Sequence, residues 1–191
     1  IIVVLIAVGV CSIAGWFFGP YVLDYLIDYV GEAQILRPTD ALKMRLVLAL
    51  WVGLGIASPV LLSQMWLFVA PGLYSYEKKF VFPALLASFL LFVGGGAFAV
   101  FLLPYTLKFL EKFITANMRP DYQLEYFINF CGKFIFAFAF VFQIPIVLIV
   151  LAQMGIVSYA SLAANRKYAL LIGMLVGAVL TPADPASMMF L

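Results

Sequence analysis

The chain has 191 residues, 66% of them hydrophobic and 10% charged, with a net charge of +2 and no histidine. A soluble domain carries about a quarter of its residues charged, so at a mean hydropathy of +1.16 this chain cannot cover a water-facing surface and reads as an integral membrane protein. The missing imidazole excludes His-dependent triads and His-ligated zinc or haem, and the scattered Lys and Arg residues do not form a nucleic-acid surface.

A spanning helix needs about 20 mostly apolar residues. The first such run, 1–18, stops at Gly19-Pro20 and reads as a span cut short at its N-terminal end. It lacks the basic n-region and cleavage site of a signal peptide. Residues 19–45 read as a long connection holding a short surface helix. Its apolar positions Val22, Leu23, Leu26, Ile27 and Val30 recur at helical spacing, with Asp24, Asp28 and Glu32 on another face. A turn follows at Arg37-Pro38-Thr39-Asp40, where Thr39 or Asp40 is placed to cap the next helix.

The second span is expected over 46–73. Pro59 lies inside it and removes the N–H that would bond the carbonyl of Gly55, which predicts a kink. The short loop 74–80 carries Glu77-Lys78-Lys79 and is ringed by Trp66, Phe68, Tyr74 and Tyr76. Such aromatic residues concentrate where bilayer meets water. In the third span, 81–103, Pro83 falls in the first turn and Gly94-Gly95-Gly96-Ala97 offers a smooth patch for close helix packing. The helix should end or bend at Pro104.

A second long connection, 104–133, turns at Asn117-Met118-Arg119-Pro120-Asp121. The fourth span, 134–154, has Gln143-Ile144-Pro145 near its centre, and Pro145 frees the carbonyl of Val141. Residues 155–167 form a short loop with Arg166 and Lys167. The fifth run, 168–180, is about 20 Å of helix and cannot cross an ordinary bilayer upright. Thr181-Pro182-Ala183-Asp184-Pro185 then turns into a sixth, truncated run, 186–191. The expectation is one all-α membrane domain over 1–191. Cys11 and Cys131 have no CxxC spacing and read as packing residues.

Residues 66–79 fit the pattern W-x-F-x-x-P-x-L-Y-x-x-E-[KR]-[KR] through Trp66, Phe68, Pro71, Leu73, Tyr74, Glu77, Lys78 and Lys79. There the chain resembles the TatC family, the multispanning core of the twin-arginine protein translocase. Ala57-Ser58-Pro59-Val60, Phe142-Gln143-Ile144-Pro145, Arg166-Lys167-Tyr168 and the Thr181–Pro185 turn match further family segments in order. The resemblance implies a six-span helical bundle with both termini cytoplasmic, and hence cytoplasmic loops at 74–80 and 155–167. It implies docking of twin-arginine signal peptides and assembly with TatA/TatB-type single-span subunits in a complex that contains several copies of this chain. Folded proteins would cross the membrane, driven by the proton-motive force, with no covalent chemistry and no cofactor. A bacterial cytoplasmic membrane is the expected location, with the thylakoid as the alternative.

The resemblance assigns signal-peptide binding to Glu77, Phe68, Tyr74 and Lys78. A guanidinium binds a carboxylate through a planar two-bond fork that an ammonium cannot copy, so a receptor selecting Arg over Lys needs an acid such as Glu77. Lys78 and Lys79 repel the same ligand unless they turn to lipid headgroups. Without the resemblance, Glu77 reads as a solvated helix terminus, and Phe68 reads equally as an interfacial anchor.

Partner-helix contacts and assembly are assigned to Gln143, Thr181, Asp184 and Pro38. Many family members have Glu where this chain has Gln143, and the neutral amide has no proton switch. Two readings of Gln143 stand: a bond to the freed carbonyl or a neighbouring helix, and a contact with a partner's helix. Asp184 serves equally as a helix cap, and Met188 stands where the family often has a polar residue. The alternative function is a secondary transporter or channel for a small solute, suggested by the proline-broken spans at Pro59 and Pro145 and by Gln143. An intramembrane enzyme fails on inventory, since there is no His, no paired intramembrane Asp and no GxSxG.

Overall fold

The computed structural model describes residues 2–27, 33–34, 38–69, 81–111 and 122–153. In chain order these form α1 (Ile2–Ile27), β1 (Ala33–Gln34), α2 (Pro38–Val69), α3 (Val81–Glu111), β2 (Tyr122–Gln123), α4 (Leu124–Val141) and α5 (Ile144–Gln153). Among the described residues four stretches are long and apolar enough to cross a membrane: Ile2–Ile27, Thr39–Val69, Val81–Leu110 and Leu124–Ala152. The last holds α4 and α5. The described residues are helical apart from one parallel pairing, Ala33 with Tyr122 and Gln34 with Gln123. The expected fifth and sixth runs and the loop before them lie outside the described residues.

The helices run further than apolar content alone predicts. α1 does not stop at Gly19-Pro20 but continues to Ile27 with Pro20 inside it, so Val22, Leu23 and Ile27 belong to α1 rather than to a separate surface helix. One missing N–H is outweighed there by packing, because these three residues join a core of Met44, Leu48, Leu124 and Ile128. α2 starts at Pro38, which supplies the fixed φ and absent donor suited to a first turn. Thr39 and Asp40 therefore lie within that turn rather than ahead of it, where a carboxylate meets the positive end of the helix dipole. α3 passes through Pro104 to Glu111, with Lys108 in its last turn. α4 begins at Leu124, ten residues before the expected start of the fourth span at Phe134. Lys133 stays exposed while Leu124, Phe127, Ile128 and Cys131 are buried on another face.

The chain forms two compact units, Ile1–Leu61 with Leu102–Lys133, and Leu62–Phe101 with Phe134–Leu191. In the first, α1 and α2 meet through small residues. A Cβ on Gly53 would lie 2.5 Å from Ser12 Oγ and 2.6 Å from Ser12 Cα, and one on Gly15 would press on the Ala49 carbonyl. Lipid tails supply no hydrophobic drive between helices, so close backbone contact takes its place. Ser12 Oγ is buried without a hydrogen-bond partner at this approach. Further along α2, the Ser58 hydroxyl donates to the Gly55 carbonyl at 2.7 Å. This is the carbonyl that Pro59 leaves without a backbone donor, so α2 continues through the proline.

In the second unit, α3 packs on α4 through a phenylalanine ladder with a gap in it. Phe92 sits edge-on to Phe136 and Phe140 with ring centroids 6.0 Å apart, and Phe98 meets Phe138 at 5.8 Å. Gly95 lies between them on the same face. A Cβ there would stand 2.9 Å from the Phe138 carbonyl oxygen and 3.0 Å from Ala139 Cα. The expected glycine patch thus acts through one member, since Gly94 faces open space and Gly96 meets just the Ile135 methyl at 3.7 Å.

Two substitutions in this patch should therefore separate in a detergent unfolding assay. Gly95→Ala is expected to destabilise by about 1–3 kcal/mol, because backbone atoms cannot give way, while Gly94→Ala should stay within about 0.5 kcal/mol of wild type. Ser58→Ala should cost about 1 kcal/mol in the same assay by stripping the Gly55 carbonyl of its donor.

Candidate functional site

The second unit holds a buried polar junction built on three stretches of the chain. Trp66, near the C-terminal end of α2, is 4% exposed, and Ser88 of α3 is 1% exposed. Gln143 is 6% exposed and falls in the two-residue break between α4 and α5. The indole Nε1–H of Trp66 donates to Ser88 Oγ at 2.9 Å, and the Gln143 amide Nε2 donates to the Ser88 carbonyl at 3.0 Å. One serine thus satisfies donors from two neighbours. A donor left bare at such depth costs about 1–3 kcal/mol, so the junction fixes how these segments face one another.

The break that positions Gln143 follows from the backbone. Phe142 N–H still bonds Phe138 O at 3.0 Å, but Gln143 N–H bonds Phe140 O at 2.9 Å, a tighter i−3 step. The Gln143 carbonyl then accepts from both Ile146 and Val147 at 3.1 Å, opening α5. Pro145 sits in the first turn of α5, where no donor is needed. The helix thus breaks at residues 142–143, just ahead of Pro145. The side chain of Gln143 bonds the neighbouring helix rather than the Val141 carbonyl.

Beside this junction lies an apolar pocket of about 110 Å³, lined by Met65, Trp66, Val69, Ile146, Val147, Val150 and Leu151. Phe68 projects from the same end of α2, 85% exposed. Its exposure suits an interfacial anchor and a ligand contact alike. Glu77, Tyr74 and Lys78, and likewise Thr181 and Asp184, lie outside the described residues. Pro38 is the first residue of α2 and belongs to the other unit. Among the described residues no cluster of His, Cys, Asp and Glu is arranged to hold a metal ion.

Sequence reasoning did not single out Ser88, and it placed Trp66 with the interfacial aromatics. The structure instead buries the indole, and a buried indole N–H requires a partner. A usable signal was present. Ser88 is a polar residue inside the apolar run of the third span, and an apolar medium obliges such a group to bond to protein.

Comparisons with known proteins converge. The family model described as Sec-independent protein translocase protein (TatC) matches residues 1–191. The Sec-independent protein translocase protein TatC of Aquifex aeolicus is 38% identical over 95% of this chain and 80% of its own length. That of Desulforapulum autotrophicum is 37% identical over 94% and 69% respectively. A crystal structure of the twin arginine translocase receptor TatC in DDM superposes with a TM-score of 0.85 at 36% identity, covering 98% of this chain and 87% of that one. None of these matches favours the solute-transporter alternative. A multi-pass membrane protein built on these helices, with family agreement from end to end, belongs to the TatC family of Sec-independent protein translocase proteins.

Proposed function

We propose that this chain is the receptor and core subunit of a translocase that docks twin-arginine signal peptides and moves folded proteins across a bacterial cytoplasmic membrane. The observation that carries this reading is its likeness, over 98% of the chain, to a solved structure described as the twin arginine translocase receptor. On this reading the chain has six spans with both termini cytoplasmic. It works in several copies with TatA/TatB-type single-span subunits, and the proton-motive force drives transport.

Glu77 is the receptor carboxylate. In sequence it falls between the end of α2 at Val69 and the start of α3 at Val81, three residues after Tyr74, in a segment we assign to the membrane face. There the two-bond fork to an arginine is stronger than in bulk water. Tyr74 and exposed Phe68 supply apolar contact for the peptide, and Lys78 is the fourth residue we assign to the peptide site. Gln143 and the apolar pocket beside it form the ground for a partner's transmembrane helix, with Thr181, Asp184 and Pro38 also serving assembly.

Two measurements test these roles. Replacing Glu77 by Ala should weaken binding of an Arg-Arg signal peptide by about ten- to a hundredfold, the worth of a charged hydrogen-bonded pair, while a Lys-Lys peptide stays weak throughout. Wild-type affinity in the variant would remove the carboxylate from the receptor role. For Gln143→Leu, insertion should be unchanged and co-purification of the single-span partners reduced. Unchanged co-purification would confine Gln143 to its bond with Ser88.

A further inference from the structure

Arg45 of α2 is exposed, and its guanidinium carbon stands 5.3 Å from the ring centroid of Trp16 on α1. Among the described residues no carboxylate pairs with it. The surrounding surface is greasy: Leu42 and Leu46 on α2, with Ile13 and Phe17 on α1, are each more than half exposed. A permanent charge thus stands on a face that is otherwise suited to hydrocarbon.

Depth decides what can answer that charge. The uncharged remainder of α2, 46–69, is about 36 Å long at 1.5 Å per residue, and the hydrocarbon core takes about 30 Å. Arg45 therefore stands where acyl chains give way to phosphates. Side chains on a helix lean towards its N-terminus, so Arg45 reaches towards the Pro38 end and away from hydrocarbon, as long cationic side chains do at such boundaries. The face of Trp16 holds the planar guanidinium by cation–π attraction and leaves its N–H fork free to meet an anion. Exposed Tyr21, further along α1, marks the same boundary.

We propose that Arg45 and Trp16 form a binding site for the phosphodiester of a membrane phospholipid in the leaflet at the Pro38 end of α2. Anionic headgroups are preferred, because among the described residues no carboxylate pairs with the guanidinium to receive the ammonium of a zwitterionic one. Arginine suits this task better than lysine, since its fork grips two phosphate oxygens at once.

Native mass spectrometry of the full-length protein in mild detergent tests the site, with phosphatidylglycerol, phosphatidylethanolamine, diacylglycerol and inorganic phosphate as separate probes. Wild type should retain phosphatidylglycerol about tenfold more tightly than Arg45→Gln, the loss of one charged fork, with phosphatidylethanolamine weaker and diacylglycerol not retained. Millimolar inorganic phosphate should not displace the lipid. If Arg45→Gln does not fold, Trp16→Leu serves in its place, with retention expected to fall about three- to fivefold as the cation–π hold is lost. Equal retention by the variant, equal binding of diacylglycerol, or displacement by free phosphate would each overturn the proposal.

Discussion

In hydrocarbon no water is at hand to satisfy a polar group, so every buried donor and acceptor must find its partner within the protein. The described interior is largely arranged around that demand, with the Ser12 hydroxyl left bare where α1 and α2 touch. Ser88 receives the Trp66 indole on its hydroxyl and the Gln143 amide on its carbonyl. Ser58 fills the gap that Pro59 opens at Gly55. Both serines sit in helices that would otherwise carry a bare polar atom into an apolar layer. The break between α4 and α5 is tolerated on the same terms, since the Gln143 carbonyl is doubly used and its side chain is bonded across to α3.

Close packing follows from the same solvent. Between helices in lipid, contact area and backbone proximity replace the hydrophobic effect. Glycine at 15 and 53 brings α1 onto α2, and Gly95 lets α3 approach α4 between two tiers of phenylalanine rings. Arg45 is the complement of this pattern. It is a charge that the protein leaves exposed, steadied on Trp16 at the level where the bilayer itself offers a counter-charge.

On the proposed receptor reading, a fixed geometry at the facing ends of α2 and α3 has a direct use. Binding of a short cationic motif would gain little from a carboxylate whose supports drift, because ordering the receptor would subtract from binding. The Trp66–Ser88–Gln143 junction locks the end of α2 against α3 within one compact unit. The segment carrying Glu77 springs from these two helices.

Composition and pattern alone determined that the chain lives in a membrane, that its described spans are helical, and that it carries the TatC motifs. An apolar solvent restricts the backbone to few solutions, and the Trp66–Lys79 pattern is dense in unusual residues. The proline positions marked where a helix could be interrupted, and at Pro20, Pro59 and Pro104 the helix runs on. Whether a proline ends a helix was decided elsewhere. Pro20 and Pro104 lie inside helices, whereas at Gln143-Ile144-Pro145 the helix breaks. The helices begin ahead of the expected second and fourth spans, at Pro38 and Leu124, because long side chains such as Arg45 and Lys133 stay exposed while their backbone is helical. Gln143's choice of Ser88 over the Val141 carbonyl, the burial of Trp66, and the stacking of Arg45 on Trp16 depend on residues far apart in the chain. Local spacing carries no information about such pairs. They exist because the fold brings the helices together, and only the tertiary structure decides them.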